Sequence, residues 1–155
     1  MRLLIAAVLA VLVAAGPAAA DNGYPYPGTN VIPTKHSFGQ LWERLEKAIE
    51  ANNMGLVGRA SASVGASRRK VKIAGNAVFG VYRNDFAVRM LKASVPAGIE
   101  APLRFYLTEN ADGTATLTYR SPSAVFQPYG SAELDAMAAE LDPIFAAIAK
   151  QATAP

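Results

Sequence analysis

The sequence predicts an α+β domain: an antiparallel sheet of four to five strands with helices packed on one face. Its order reads strand, helix, four strands, helix, with an extra short helix in the middle. Three observations carry this. Residues 37–51 show an apolar stripe at helical spacing behind a capping signal, residues 77–82 are a nearly continuous apolar run, and two alternating segments flank a turn at 109–113. Elements in this order pair antiparallel and bury one sheet face under helices.

Ser37 opens the first helix. Ser37 and Gln40 fit a capping box, in which each side chain satisfies an orphan backbone donor at the other. Phe38, Leu41, Trp42, Leu45, Ala48 and Ile49 recur at helical spacing, while Glu43, Glu46, Lys47 and Glu50 face water. Asn52-Asn53-Met54-Gly55 stops the helix. Leu56 and Val57 form a short strand. The small-residue run from Arg59 to Ser67 has no period that separates a short, tightly packed helix from a loop, and Gly75-Asn76 reads as a turn. Ala77–Tyr82 is a central strand ended by Arg83-Asn84-Asp85. Asn84 suits an N-cap, and Phe86, Met90 and Leu91 line one side of a helix that stops before Pro96. Leu103–Leu107 and Thr114–Arg120 are the arms of a hairpin. Ser131 caps the last helix, whose stripe is Leu134, Met137, Leu141, Phe145 and Ile148, with a kink expected at Pro143.

The N-terminus carries a different signal. Met1-Arg2, the apolar run Leu3–Ala15, the break at Gly16-Pro17 and the small residues Ala18-Ala19-Ala20 read as an export signal cleaved after Ala20. The run is shorter than the about 20 residues of a comfortable membrane span. The expected product is therefore periplasmic or secreted, with no membrane span after cleavage. It divides into an extended Tyr/Pro-rich tail over 21–34, with a short edge strand at Val31–Lys35, and a single α+β domain over 35–152. Tyr24-Pro25-Tyr26-Pro27-Gly28 favours extended, polyproline-like geometry and reads as a spacer or a recognition segment.

Composition removes several chemistries. Without cysteine there is no disulfide framework, thiolate nucleophile or zinc–sulfur site. The single histidine, His36, cannot build a zinc or copper centre alone and reads as a loop residue ahead of the first helix. No Gly-x-Ser-x-Gly elbow and no phosphate-binding glycine loop is present. The reading is of no metal site and no cofactor. Charge is uneven: from Arg59 to Arg104 nine basic residues stand against two acids, whereas the rest of the chain after Ala20 is net acidic. Such a basic middle either focuses a field on an anionic partner or pairs with acidic helices. Nucleic acid is an unsuitable partner for an exported chain.

Val78-Phe-Gly-Val-Tyr-Arg-Asn-Asp85, Met90-Leu91-Lys-Ala-Ser-Val-Pro96, Ala101-Pro-Leu-Arg-Phe-Tyr-Leu107 with Glu109, and Leu117-Thr-Tyr119 before Ser121-Pro122 resemble family 302 of the domains of unknown function. The resemblance runs from about Lys35 to Gln151. It implies a strand, a helix, four strands and a final helix, with helices on one face of an antiparallel sheet, and dimer formation, but no settled reaction. The matching positions are Asn84, Pro96, Pro102, Glu109 and Tyr119. Arg83-Asn84-Asp85 replaces the family's commoner Gly-Asn-Pro, and an Asp-His pair found in many members is missing near Arg59–Ser63.

The functional expectation is a non-catalytic binding module for an anionic small molecule, a lipid headgroup or a protein partner. Its candidate ligand-binding residues are Arg83, Asn84 and Arg89 at the strand–helix junction, with Arg104, Tyr119 and Arg120 on neighbouring strands; no catalytic residue is assigned. The alternatives are a hydrolase using Asp85 or Glu109 as general base, and an assembly subunit that forms a homodimer through an open sheet face.

Overall fold

The computed structural model describes residues 23–155. The expected export signal and its cleavage after Ala20 lie outside the described residues. The strands are β1 (Thr29–Ser37), β2 (Gly55–Ala60), β3 (Asn76–Tyr82), β4 (Leu103–Glu109) and β5 (Thr114–Arg120). The helices are α1 (Phe38–Ala51), α2 (Ala62–Ser67), α3 (Asn84–Ala93), α4 (Pro122–Phe126) and α5 (Ala132–Thr153), with 3₁₀ turns at Pro96–Glu100 and Gln127–Tyr129. The strands form one sheet in the order β1-β5-β4-β3-β2, and every neighbouring pair is antiparallel. Among the described residues no helix is long and apolar enough to cross a membrane.

Alternation along the strands sends Ala77, Phe79 and Val81 of β3, Leu103, Phe105 and Leu107 of β4, and Ala115, Leu117 and Tyr119 of β5 to one face, where all are buried. Against them lie Leu41, Leu45, Ala48 and Ile49 of α1 and Leu134, Met137, Leu141, Phe145 and Ile148 of α5, also buried. The Phe145 ring stacks on Phe105 at 5.0 Å between centroids and lies 6.3 Å from Tyr119, which is 5.1 Å from Phe105. Helix and sheet are thus joined through three aromatic rings.

Capping follows the expected chemistry at two helices. Ser37 accepts from Gln40 N while the Gln40 side chain takes the Ser37 N–H, and Ser131 accepts from Leu134 N. At the far end of α5, Arg44 of α1 donates to the carbonyls of Ala152 and Ala154, and His36 Nε2 lies 2.7 Å from Ala154 O. These contacts satisfy carbonyls that a helix end leaves open. His36 is therefore a strand residue tied to the C-terminal segment, not a loop residue.

Three local expectations change, and α4 is a further helix that the sequence pattern does not predict. β1 begins at Thr29, inside the segment expected to be tail, and is nine residues long. Its β-branched residues pair with β5, and Pro33 is accommodated because β1 is an edge strand. Asn84 is the first residue of α3, and the cap position is held by Arg83 without a side-chain bond. Asp85 in the first turn supplies the negative charge there instead. Leu91 is exposed, and Ala87 joins Phe86 and Met90 in the buried stripe. Helix α4, which lacks a long periodic stripe, starts with Pro122 and has the Ser123 N–H bound by the Asp142 carboxylate. Helix α5 continues through Pro143 as one element; Pro143 and Ala139 both face solvent, where water can reach the carbonyl that loses its partner.

The aromatic joint between sheet and α5 carries a clear stability cost. Phe145→Ala is expected to lower unfolding free energy by about 3–5 kcal/mol, read from urea denaturation; a loss below about 1 kcal/mol would contradict this packing account.

Candidate functional site

The face of the sheet turned away from α1 and α5 is polar and partly open. Register places Val31, Thr118, Tyr106 and Val78 in one row across four strands. In the next row Thr29 pairs with Arg120 and Gly80 with Arg104. Arg104 and Arg120 come one step beyond the Phe105–Tyr119 pair, on adjoining strands. Like charges on adjoining strands are unfavourable unless something relieves them.

A cavity of about 200 Å³ opens here, around the end of the sheet. Arg104, Arg120, Tyr106, Thr118 and Val78 line it from the strands, Glu100, Leu103, Tyr119 and Val125 close its end, and Tyr24 and Tyr26 form its outer wall. Arg104 is exposed and has no ion-pair partner among the described residues. Arg120 donates from Nη2 to Ala124 O at 2.8 Å, and its guanidinium lies 5.2 Å from the Tyr26 ring centre. Arg120 Nε is buried without a hydrogen-bond partner, alone in this among the described side chains. Such a donor is costly to leave unmade. Glu100 accepts from the Tyr129 hydroxyl at 3.0 Å. Burial is the main cause that pushes the Tyr119 phenol up, with the Asp142 charge adding to it, so this hydroxyl stays protonated at neutral pH.

The outer wall is held by its own contacts. The Tyr24 hydroxyl lies 3.4 Å from Thr118 Oγ1, Thr29 Oγ1 donates to Tyr26 O, and Ser121 N donates to Gly28 O. Gly28 has φ +70°, and a β-carbon there would fall 2.2 Å from Ala124 Cβ. Only glycine combines this backbone conformation with this approach.

Arg83, Asn84 and Arg89 lie apart from this cavity. Arg83 binds Asp85 with both Nε and Nη2, at 2.8 and 3.1 Å, and Arg89 binds Glu140 at 2.7 and 2.6 Å. Both guanidiniums lie over the Phe86 ring. The space beside Arg83 and Phe86 is about 30 Å³, room for about one water molecule. Asn84 is exposed on the first turn of α3. The Arg83 hydrogen bond holds the Asp85 carboxyl below its ordinary value, and the Phe86 and Asp85 N–H groups add to this. A general base needs the opposite shift. Glu109 Oε2 accepts from the Gly75 N–H at 2.7 Å, joining the end of β4 to the chain ahead of β3. Among the described residues no three His, Cys, Asp or Glu side chains are grouped to hold a metal ion.

Of the six residues singled out from the sequence, the fold thus gathers Arg104, Tyr119 and Arg120 and separates Arg83, Asn84 and Arg89. It adds Tyr24, Tyr26, Tyr106, Thr118 and Glu100. The Tyr-Pro repeat was the one visible signal for two of these, and the strand alternation of 103–107 and 114–120 for two more.

The family model described as Domain of unknown function DUF302 matches residues 30–152. Among solved structures, the crystal structure of an uncharacterized conserved protein DUF302 from Bacillus stearothermophilus superposes with a TM-score of 0.72 at 16% identity, covering 81% of this chain and 98% of that one. No curated protein matches.

The Arg83–Asp85 and Arg89–Glu140 pairs generate a pH prediction. Asp85 and Glu140 are both held below their ordinary values, each chiefly by its arginine hydrogen bond. Each pair therefore contributes above the ordinary carboxylate range and loses its contribution as pH falls through the lowered folded value. Carbon-detected NMR titration should find both carboxyls titrating low, and Arg83→Ala should move Asp85 back up while leaving Glu140 nearly in place. An Asp85 curve unchanged by Arg83→Ala would refute the assignment.

Proposed function

Since the chain belongs to the family described as Domain of unknown function DUF302, which lends it a fold and no reaction, we propose that it is a binding module whose open-face cavity holds a small anion. The observation that carries this reading is the pairing of two arginines on adjoining strands, one without an ion-pair partner and the other with a buried, unbonded Nε. An anionic oxygen on the ligand offsets the like-charge repulsion between the two guanidiniums and gives the exposed Arg104 a partner. Glu100 on the rim leaves one net positive charge in the lining, the complement of a monoanion. With the export signal expected over residues 1–20, the module would meet its ligand outside the cytoplasm.

The carboxylates considered for hydrolysis support structural work better. Asp85 is engaged by Arg83, and Glu109 by the Gly75 backbone. Arg83 and Arg89 likewise fit the account in which basic residues pair with nearby acids.

Titration with acetate and with inorganic phosphate, followed by amide NMR, tests the reading. Shifts should concentrate at Arg104, Thr118 and Arg120. Arg104→Ala should weaken binding about tenfold or more, the worth of a charge-assisted hydrogen bond, with little change in melting temperature. Arg83→Ala and Arg89→Ala should change it less than about twofold. Loss of binding in these two with retention in Arg104→Ala would place the site at α3 and sink the proposal.

A further inference from the structure

We infer that the segment Tyr24–Gly28 is the specificity wall of this cavity, and that it selects aromatic carboxylates over small aliphatic ones. This rests on the anion-binding reading above and adds to it the chemical class of the ligand. Four tyrosines (Tyr24, Tyr26, Tyr106 and Tyr119) line the cavity together with Val78, Leu103 and Val125. A carboxylate without an apolar body would satisfy the arginines and leave the exposed Tyr24 and Tyr26 rings facing water. The cavity's 200 Å³ is roughly the space of six or seven liquid water molecules, suited to one ring bearing one acid group.

The wall is built rather than draped. Pro25 and Pro27 flank Tyr26 and fix the backbone torsions around it, so little freedom remains to be lost when a ligand packs against the ring. Gly28 seats the segment against Ala124 and Ser121, and Ser121 N–H binds its carbonyl. Tyr26 already lies against the Arg120 guanidinium. An aryl carboxylate can set its acid group on the arginines and its ring among the tyrosines, using both kinds of contact at once. Neither the basic pair nor the tyrosines alone would make that distinction.

The test compares benzoate with acetate on the intact protein by amide NMR titration. Benzoate should bind roughly three- to tenfold tighter than acetate. Tyr26→Ala should abolish that preference, bringing the benzoate and acetate affinities within about twofold of each other. Gly28→Ala, which displaces the wall from Ala124 without removing a ring, should also remove the preference, with a lowered melting temperature from the strained backbone and the clash. Equal binding of the two acids, or a preference that survives both substitutions, overturns the specificity wall while leaving anion binding intact. Failure of acetate, phosphate and benzoate alike overturns anion binding itself, and the wall with it.

Discussion

The insertion of Phe145 between α5 and the central strands is the contact on which the other arrangements depend. Its ring stacks on Phe105 and approaches Tyr119, so the long C-terminal helix is keyed to β4 and β5 at their middle and end. Once that face of the sheet is closed, alternation leaves no choice for the residues between: Arg104, Tyr106, Thr118 and Arg120 must emerge on the opposite side. The cavity is thus a by-product of where the core lies, and its side chains need no separate device to bring them together. Tyr119 belongs to both systems, packing with Phe105 inside and bordering the cavity at the sheet's end.

The two groups of arginines show how neighbouring groups decide the work of a charge. Arg83 and Arg89 each meet a carboxylate in bidentate geometry and lie on Phe86, and their electrostatic demand is met within the protein. Arg59 is similar, bound to Glu46, which also accepts from Trp42. Arg104 and Arg120 have no such carboxylate between them. The basic middle of the chain is therefore not one patch: its charges are divided among structural pairs, the exposed loop carrying Arg68, Arg69, Lys70 and Lys72, Lys92 exposed at the end of α3, and the cavity.

Much of the fold was legible because its central elements have unmixed periods. The stripe of α1 and the alternation of β4 and β5 report burial directly, and Ser37–Gln40 and Ser131 mark helix starts with side chains that can do only a few things. Legibility fell where local chemistry is ambiguous. Only Val31–Lys35 of β1 read as an edge strand, because the Tyr-Pro repeat ahead of it and the capping signal at Ser37 behind it hide its full extent from Thr29 to Ser37. Asn84 has the chemistry of a cap, yet Asp85 one residue later supplies the charge, so the cap falls on Arg83. Helix α4 is too short to show a stripe. The site was legible by halves: strand residues could be named, but which arginines already had partners depends on Glu140, about fifty residues from Arg89 and joined to it only by folding. The role of Tyr24 and Tyr26 depends likewise on Gly28 meeting Ala124 across the chain.

The two outer strands limit how the sheet can be extended. β1 interrupts its own register between Pro33 and Ser37, and Pro33 offers no N–H to a newcomer. β2 shifts register between Leu56 and Gly58 and is too short and irregular to serve as a long template. A sheet blunted at both margins resists growth by strand addition, the route by which exposed β-structure passes into fibres. Strand pairing between copies is thereby disfavoured at either edge, and any contact between them would fall to side-chain surfaces.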